Sequence, residues 1–134
     1  MPLFEFTVEG PPLSHQTRDK KKLKAWKEKV RRAARTYWNS GPLTIPLQIT
    51  VAYYHEGAAV EVDNDNMIKP IQDALNNLVY SDDKCITDTI IRKTPIDGPI
   101  YPRGLSLVLL EAFSKGNEFL HIQLDRAPDH TRTR

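Results

Sequence analysis

The chain has 134 residues, a net charge of +2 at neutral pH, 40% hydrophobic residues and 27% charged residues. This size and balance predict a single globular domain with one modest core, and no apolar run approaches the ~20 residues that a membrane span needs. Cys85 is the only cysteine, which excludes an internal disulfide and a cysteine-rich zinc site.

The charges are strongly segregated along the chain. Ten of the nineteen Lys and Arg residues fall between residues 18 and 35, opposed by only two acidic residues. Acidic residues concentrate between residues 56 and 83, where Lys69 is the only base. A basic segment beside an acidic one is typical of proteins that hold a phosphate backbone next to a metal site.

The first half of the chain predicts a strand, a long helix and a second strand. Residues 3–9 alternate between apolar and polar side chains, as a strand does, and Gly10-Pro11-Pro12 ends them. Residues 18–38 contain no Gly or Pro and carry one apolar stripe at helical spacing, which predicts an amphipathic helix. Residues 47–54 are rich in β-branched and aromatic side chains and predict the second strand.

Apolar residues at helical spacing predict a second helix over residues 67–78. Proline is tolerated in the first turn of a helix but not in its interior, so Pro70 places the start of the regular helix near Asn66. Asp63 and Asp65 are then expected on the extended approach or on the cap. In an extended segment, residues i and i+2 point the same way, which would direct both carboxylates to one side.

The rest of the chain is predicted as strand, loop, strand and short extra strand, over residues 85–93, 94–102, 105–112 and 114–124. Residues 126–134 are polar and are expected to form a fraying tail. The order β-α-β-α-β-β predicts a single α+β domain over residues 1–125, with a mixed sheet packed by two main helices.

The densest polar cluster lies between residues 63 and 83, with five aspartates, four asparagines and one lysine. Carboxylates at close range repel one another unless a cation neutralises them. Mg²⁺ prefers oxygen ligands and usually binds through a few carboxylates together with substrate phosphate. The cluster therefore predicts a metal site for phosphate chemistry, with Asp63, Asp65 and Asp83 as the candidate ligands.

The same residues carry a family resemblance. The run D-x-D-N-x-x-K-x-x-x-D-A-L-N from Asp63 to Asn76, followed by Asp82-Asp83, resembles the RusA family of Holliday junction resolvases. The resemblance implies a RusA-like fold and a Mg²⁺-dependent endonuclease, with Mn²⁺ as a substitute metal. It also implies a homodimer that resolves four-way DNA junctions by paired phosphodiester hydrolysis in recombination and repair.

The resemblance assigns catalytic roles to Asp63, Asp65, Lys69 and Asp83, and metal ligation to the three aspartates. A lysine beside a metal site can stabilise developing negative charge or position the attacking water. Two plainer interpretations stay open. Lys69 could form an ordinary ion pair on the helix surface, and the first two aspartates could cap the helix, although capping explains one aspartate and not the whole cluster.

Three further polar residues are candidates for supporting roles. Asp73 follows Lys69 by four residues and would either orient the lysine or lie near the metal. Asn66 would hold its loop through bonds from its side chain to the backbone. Asp82 and Asp83 are adjacent and their side chains should diverge, so one ligand is expected. The family pattern implies Asp83, and the short interval after Lys69 leaves the choice open.

The basic segment predicts phosphate contacts to DNA, with a solvated helix face as the alternative. Relatives often carry an asparagine after the prolines of the first loop. Here His15 and Gln16 follow them and could contact DNA in its place, although His15 also fits a plain polar loop residue. The predicted DNA contacts are His15, Gln16, Arg18, Lys20, Lys21, Lys24, Lys27 and Arg31.

Competing motifs fit less well. An EF-hand loop beginning at Asp63 requires glycine and glutamate at positions that hold Ile68 and Ala74. A nuclease motif of the D-x-K type at residues 82–84 would give Lys69 no role in the site. The four histidines show no zinc-binding spacing.

Two other classes of function stay open, a catalytically inactive junction-binding protein and an RNA-binding protein with a structural metal site. The amino terminus lacks a basic segment followed by an apolar one, so no secretory signal is predicted. With one cysteine, a reducing, cytoplasmic location is expected.

Overall fold

The computed structural model describes residues 2–57, 62–96 and 105–130. In chain order the elements are β1 (Phe4–Glu9), α1 (Lys20–Tyr37), β2 (Leu47–His55), α2 (Asn64–Leu75), β3 (Ile86–Pro95), α3 (Leu107–Ser114) and β4 (Phe119–Arg126). A short 3₁₀ turn, Asp83–Cys85, precedes β3. The predicted α+β class and mixed sheet are confirmed.

The sheet has the strand order β1-β4-β2-β3. β4 pairs antiparallel with both β1 and β2, whereas β2 and β3 are parallel. Two parallel neighbours cannot be joined by a tight turn, so the chain crosses over between them through α2. This crossover places the acidic cluster of the sequence at both ends of α2 and on the turn that leads into β3.

The main core lies between one face of the sheet and the two helices α1 and α2. α1 contributes buried residues such as Trp26 and Val30, and α2 contributes Met67 and Ile71. Because both helices bury an apolar stripe against the same strands, the core fixes α1 beside α2. The basic segment and the acidic segment of the sequence are neighbours for this reason.

The predicted strand over residues 105–112 is wrong, because this segment forms α3. Ser106 is its N-cap and accepts a hydrogen bond from the Leu109 N–H at 3.2 Å. Leu109 is buried against Phe119 on the second face of the sheet, whereas Leu107 is 83% exposed. A short apolar run fits a helix or a strand equally well by sequence, and the cap and the one-sided burial make it a helix here. The element order is therefore β-α-β-α-β-α-β.

Other boundaries shift by a few residues. The short extra strand predicted over residues 114–124 is β4, which lies between β1 and β2. β3 runs to Pro95, two residues into the predicted loop 94–102, whose last six residues lie outside the described part of the chain.

The predicted polar tail begins with the last residue of β4. The Ala127 N–H donates to the Pro46 carbonyl at 3.1 Å, and residues 131–134 lie outside the described part. None of the described helices is long and apolar enough to cross a membrane.

α2 begins at Asn64, earlier than predicted, with Asp63 at the N-cap position and Asp65 in the first turn. The predicted placement of Asp65 on an extended approach is therefore wrong. Side chains two residues apart in a helix are rotated by roughly 200° about its axis and point to nearly opposite sides. The expected extended segment, which would direct both carboxylates to one side, is therefore absent between Asp63 and Asp65.

Pro70 lies inside α2 and not in its first turn. Proline has no N–H, so it cannot bond the carbonyl four residues earlier, which belongs to Asn66. The backbone N–H of His15 donates to this carbonyl at 2.8 Å instead. A donor from the loop after β1 therefore satisfies the carbonyl that the proline leaves free, and the helix continues through Pro70.

Candidate active site

Lys69 lies between two carboxylates. Its Nζ is 3.0 Å from Oδ1 of Asp73, one turn further along α2, and 3.2 Å from Oδ2 of Asp83. Asp83 begins the 3₁₀ turn before β3, so its contact with Lys69 requires the chain to double back after α2. The Lys69 side chain is 42% exposed, which leaves its ammonium group reachable from solvent.

The electrostatics of this group keep both kinds of side chain ionised. Hydrogen bonds to Asp73 and then to Asp83 raise the pKa of Lys69. Burial by itself would raise the pKa of Asp73, but hydrogen bonds from Lys69 and Lys27 outweigh it and lower that pKa. Both shifts favour the charged forms, so at neutral pH Lys69 is an ammonium and Asp73 a carboxylate.

The second oxygen of Asp73 contacts the basic helix. Oδ2 of Asp73 is 3.3 Å from Nζ of Lys27, which belongs to α1. The sequence predicted Lys27 only as a DNA contact and missed this ion pair. One signal was present, because Lys27 follows the buried Trp26 at the edge of the apolar stripe. From such a position a long side chain can extend along the apolar surface toward a neighbouring helix.

Asp63 and Asp65 lie exposed at the amino-terminal end of α2. Within the described residues neither carboxylate has a hydrogen-bond or ion-pair partner, and Asp63 forms no cap hydrogen bond although it occupies the N-cap position. Helix capping therefore does not account for Asp63. Asp65 precedes Lys69 by one turn, so both project from the same side of α2.

The structure separates the roles of the two adjacent aspartates. Oδ1 of Asp82 accepts a hydrogen bond from the Lys84 N–H at 3.0 Å and so caps the 3₁₀ turn. This bond, followed by a hydrogen bond with Asp83, lowers the pKa of Asp82. Asp83 contacts Lys69, so of the pair it is Asp83 that belongs to the lysine cluster.

The loop after β1 reaches the same helix through its backbone. The carbonyl of Asn66 accepts the His15 bond, and no bond from the Asn66 side chain occurs among the residues described. The His15 ring is partly buried, with its Nδ1 atom buried and unpaired. Gln16 is exposed, and its N–H donates to Ser14 Oγ at 3.0 Å. The predicted DNA contacts at His15 and Gln16 remain predictions.

Four basic residues form a row along α1. Lys20, Lys24, Lys27 and Arg31 follow one another at spacings of four, three and four, which places them on one side of the helix. This side faces α2, because Lys27 contacts Asp73. Lys20 and Lys24 are exposed, as are the two other predicted DNA contacts in this segment, Arg18 and Lys21. The α1 row, as we call these four residues, leads to the acidic cluster.

Arg31 has a second contact that its prediction as a DNA ligand did not include. Its Nη1 donates to the carbonyl of Ala74 at 2.9 Å and to that of Asn76 at 2.8 Å. These carbonyls lie at the carboxyl end of α2, where backbone acceptors lack partners within the helix. Arg31 thereby joins the two helices at the end remote from Asp63.

The acidic residues suit Mg²⁺ by chemistry but do not form a preassembled centre. All donors are carboxylate oxygens, and Mg²⁺ usually keeps several waters and binds few carboxylates. Across residues 2–57, 62–96 and 105–130, no group of three His, Cys, Asp or Glu side chains is arranged to hold a metal ion. Asp63 and Asp65 are unpaired there, whereas Asp83 is already neutralised by Lys69.

Comparison with known families identifies the class of protein. The profile of the family described as Endodeoxyribonuclease RusA matches residues 7–100, which is more than half of the chain. The chain belongs to the RusA endodeoxyribonuclease family. The match runs from the second half of β1 through β3 and includes the α1 row and the acidic cluster. The mixed sheet with three helices is consistent with a RusA-like fold. No curated protein matches the chain.

Proposed function

We propose that the chain is a Mg²⁺-dependent endonuclease that resolves four-way DNA junctions by paired hydrolysis, in recombination and repair. The observation that carries this proposal is the contact of Lys69 with Asp73 and Asp83 beside the α1 row, in a member of an endodeoxyribonuclease family. This arrangement would put a cation for the reacting phosphate next to cations for the flanking backbone. We place the activity in the cytoplasm.

Lys69 would act at the phosphate that is cut. Its ammonium is charged and accessible, so it can contact a phosphate oxygen on which negative charge develops. Asp73 would hold this ammonium in place without contacting substrate. Asp63, Asp65 and Asp83 would hold Mg²⁺, or Mn²⁺ in its place, which when bound supplies Lewis acidity and lowers the pKa of a water molecule.

The first turn of α1 supports a DNA-binding role for this helix. It begins with Lys20, Lys21 and Lys22. Cations at a helix amino terminus oppose the helix dipole, and here the N-cap residue Asp19 offsets them in part, because its carboxylate accepts hydrogen bonds from the N–H groups of Lys21 and Lys22 at 3.1 Å. Bound phosphates would offset the remaining repulsion among the three lysines.

A homodimer would fit paired cutting. A four-way junction has two-fold symmetry, and two nicks placed symmetrically across it require two active sites. Two copies related by a two-fold axis provide these without a second kind of subunit.

A second candidate is a junction-binding protein that does not cut. The ion pair between Lys69 and Asp83, and the lack of a three-ligand group in the described ranges, favour it, because a metal would have to displace or share a partner of Asp83. The α1 row is compatible with either function.

The test compares binding and cutting of three labelled substrates, namely a synthetic four-way junction, a linear DNA duplex and an RNA duplex, each with Mg²⁺, Mn²⁺ or EDTA. The proposal expects tight junction binding with or without metal, and cutting of the junction alone when metal is present. Binding without cutting under every condition would support the second candidate. Preferential binding of the RNA duplex would remove both.

A further inference from the structure

We propose that Lys27 of α1 is a positioning residue that acts on Lys69 through Asp73. The inference rests on the proposed function, because it concerns how the lysine of that site is held. It assigns Lys27 a role in turnover, in addition to its predicted contact with DNA.

Asp73 bridges two lysines with its two oxygens. Oδ1 lies 3.0 Å from Nζ of Lys69, and Oδ2 lies 3.3 Å from Nζ of Lys27. The three side chains are between 24% and 42% exposed, so the bridge is partly shielded from water. Such shielding strengthens charge interactions relative to fully exposed pairs.

The bridge joins two separately anchored helices. Lys69 and Asp73 belong to α2, whereas Lys27 belongs to α1 and follows Trp26, which is buried in the main core. Arg31, one turn further along α1, bonds the carboxyl end of α2. Lys27 therefore reaches Asp73 from a helix that is anchored in the core at Trp26 and bonded to α2 by Arg31.

The charge balance explains why this second lysine matters. Lys69 contacts both Asp73 and Asp83. Without Lys27, both oxygens of Asp73 would be available to Lys69 and would draw its ammonium away from Asp83. With Lys27 on Oδ2, Asp73 presents a single oxygen to Lys69, and the ammonium extends toward Asp83. Lys27 thus determines the position of the Lys69 ammonium group between Asp73 and Asp83.

The first test is a double-mutant cycle on junction cutting, with kcat and KM measured for Lys27→Met, Asp73→Asn and the double variant. We expect Lys27→Met to lower kcat by about tenfold, which is a usual coupling for contacting charged groups. In the Asp73→Asn background the same substitution should not lower kcat further, because its effect passes through Asp73. Lys27→Arg should restore most of kcat, since a guanidinium also pairs with the carboxylate.

Lys115→Met is the control. Lys115 is an exposed lysine outside the basic segment, at the carboxyl end of α3. Its replacement should leave kcat unchanged. The inference would be overturned by a Lys27→Met effect confined to KM, or by an equal loss of kcat when Asp73 is already replaced. Thermal unfolding of each variant separates a local effect from loss of the fold.

The second test does not depend on cutting. The ¹⁵N signal of the Lys69 side-chain ammonium, observed by NMR in the full chain, should shift in Lys27→Met and stay unchanged in Lys115→Met. An unshifted signal in Lys27→Met overturns the inference. If the wild-type protein cuts no DNA, the proposed function fails. The NMR measurement then still tests whether Lys27 positions the ammonium group of Lys69.

Discussion

The backbone N–H of His15 donates to the carbonyl of Asn66 at 2.8 Å. Pro70 lies four residues after Asn66 and has no N–H to donate to this carbonyl. The loop after β1 therefore supplies the hydrogen bond that α2 lacks at this position. This contact ties that loop to the turn of α2 that contains Asp65. The position of the loop and the continuity of the helix therefore depend on each other.

Replacement of His15 by proline tests this contact. His15→Pro removes the donor and should lower the free energy of unfolding by about 1–3 kcal/mol, the usual effect of leaving an acceptor unpaired away from water, since Asn66 is partly buried. His15→Ala keeps the N–H and should lower it by less than ~1 kcal/mol. Denaturant titration measures both variants. Equal losses in the two would show that the side chain, and not the backbone bond, matters.

Replacement of Arg31 should weaken the packing of α1 on α2. Arg31→Met removes two hydrogen bonds to the carboxyl end of α2 and should lower the free energy of unfolding by about 1.5–3 kcal/mol, as expected for bonds from a charged group. The exposed neighbour Arg32 is the control, and Arg32→Met should stay within ~0.5 kcal/mol of the wild type. If both variants are as stable as the wild type, the two Arg31 bonds do not hold α1 against α2.

Replacement of Lys69 should separate metal binding from catalysis. Lys69→Met removes a cation from Asp83, so Mg²⁺ should bind more tightly while junction cutting falls by about 100-fold or more. Calorimetric Mg²⁺ titration and a cutting assay measure the two effects. Lys84→Met, an exposed neighbour of Asp83, should change neither. Weaker Mg²⁺ binding with unchanged cutting would contradict the assigned role.

His121 makes stability depend on pH. It is 4% exposed, and its Nε2 lies 2.8 Å from Oε2 of Glu5. Burial lowers the pKa of His121 below its ordinary value of 6.5, and the attraction of Glu5 opposes this only in part. Below pH 6.5 the unfolded chain binds a proton that the folded chain resists, so the free energy of unfolding should fall as the pH falls toward the lowered pKa.

His121→Gln should flatten this part of the pH profile, whereas Glu5→Gln should steepen it by removing the attraction that favours the charged ring. Denaturant titrations between pH 5 and 8 give the profiles. Parallel profiles for the wild type and His121→Gln would show that His121 does not cause the dependence.

The hydrophobic pattern predicted most of the fold, because strand alternation and helical stripes follow directly from which face is buried. It failed at residues 105–112, where a short apolar run fits either element and the outcome depends on packing against Phe119. It also misplaced the start of α2. There the carbonyl that Pro70 leaves free accepts a hydrogen bond from the N–H of His15, which is distant in sequence and which a local rule for Pro70 does not include.

The sequence brought together only those residues of the candidate site that lie on α2. The spacing of Lys69 and Asp73 left open whether Asp73 orients the lysine or lies near the metal, and in the structure the two side chains are in contact at 3.0 Å. The ion pair between Lys27 and Asp73 depends on how α1 packs on α2, and periodicity within either helix does not determine this. The link between Lys69 and Asp83 likewise requires the chain to return after α2.

The most direct test of the central claim is cutting of a labelled four-way junction by the wild type and by Asp65→Asn, with Mg²⁺ or EDTA. Glu28→Gln, which removes a negative charge from an exposed site on α1, controls for charge alone.

The account predicts paired nicks near the branch point for the wild type and Glu28→Gln with Mg²⁺, and none with EDTA. Asp65→Asn should cut at least ~100-fold more slowly, yet bind the junction as tightly or more tightly, because it removes negative charge from the site. Undiminished cutting by Asp65→Asn would contradict the claim that the acidic cluster at α2 is the active site.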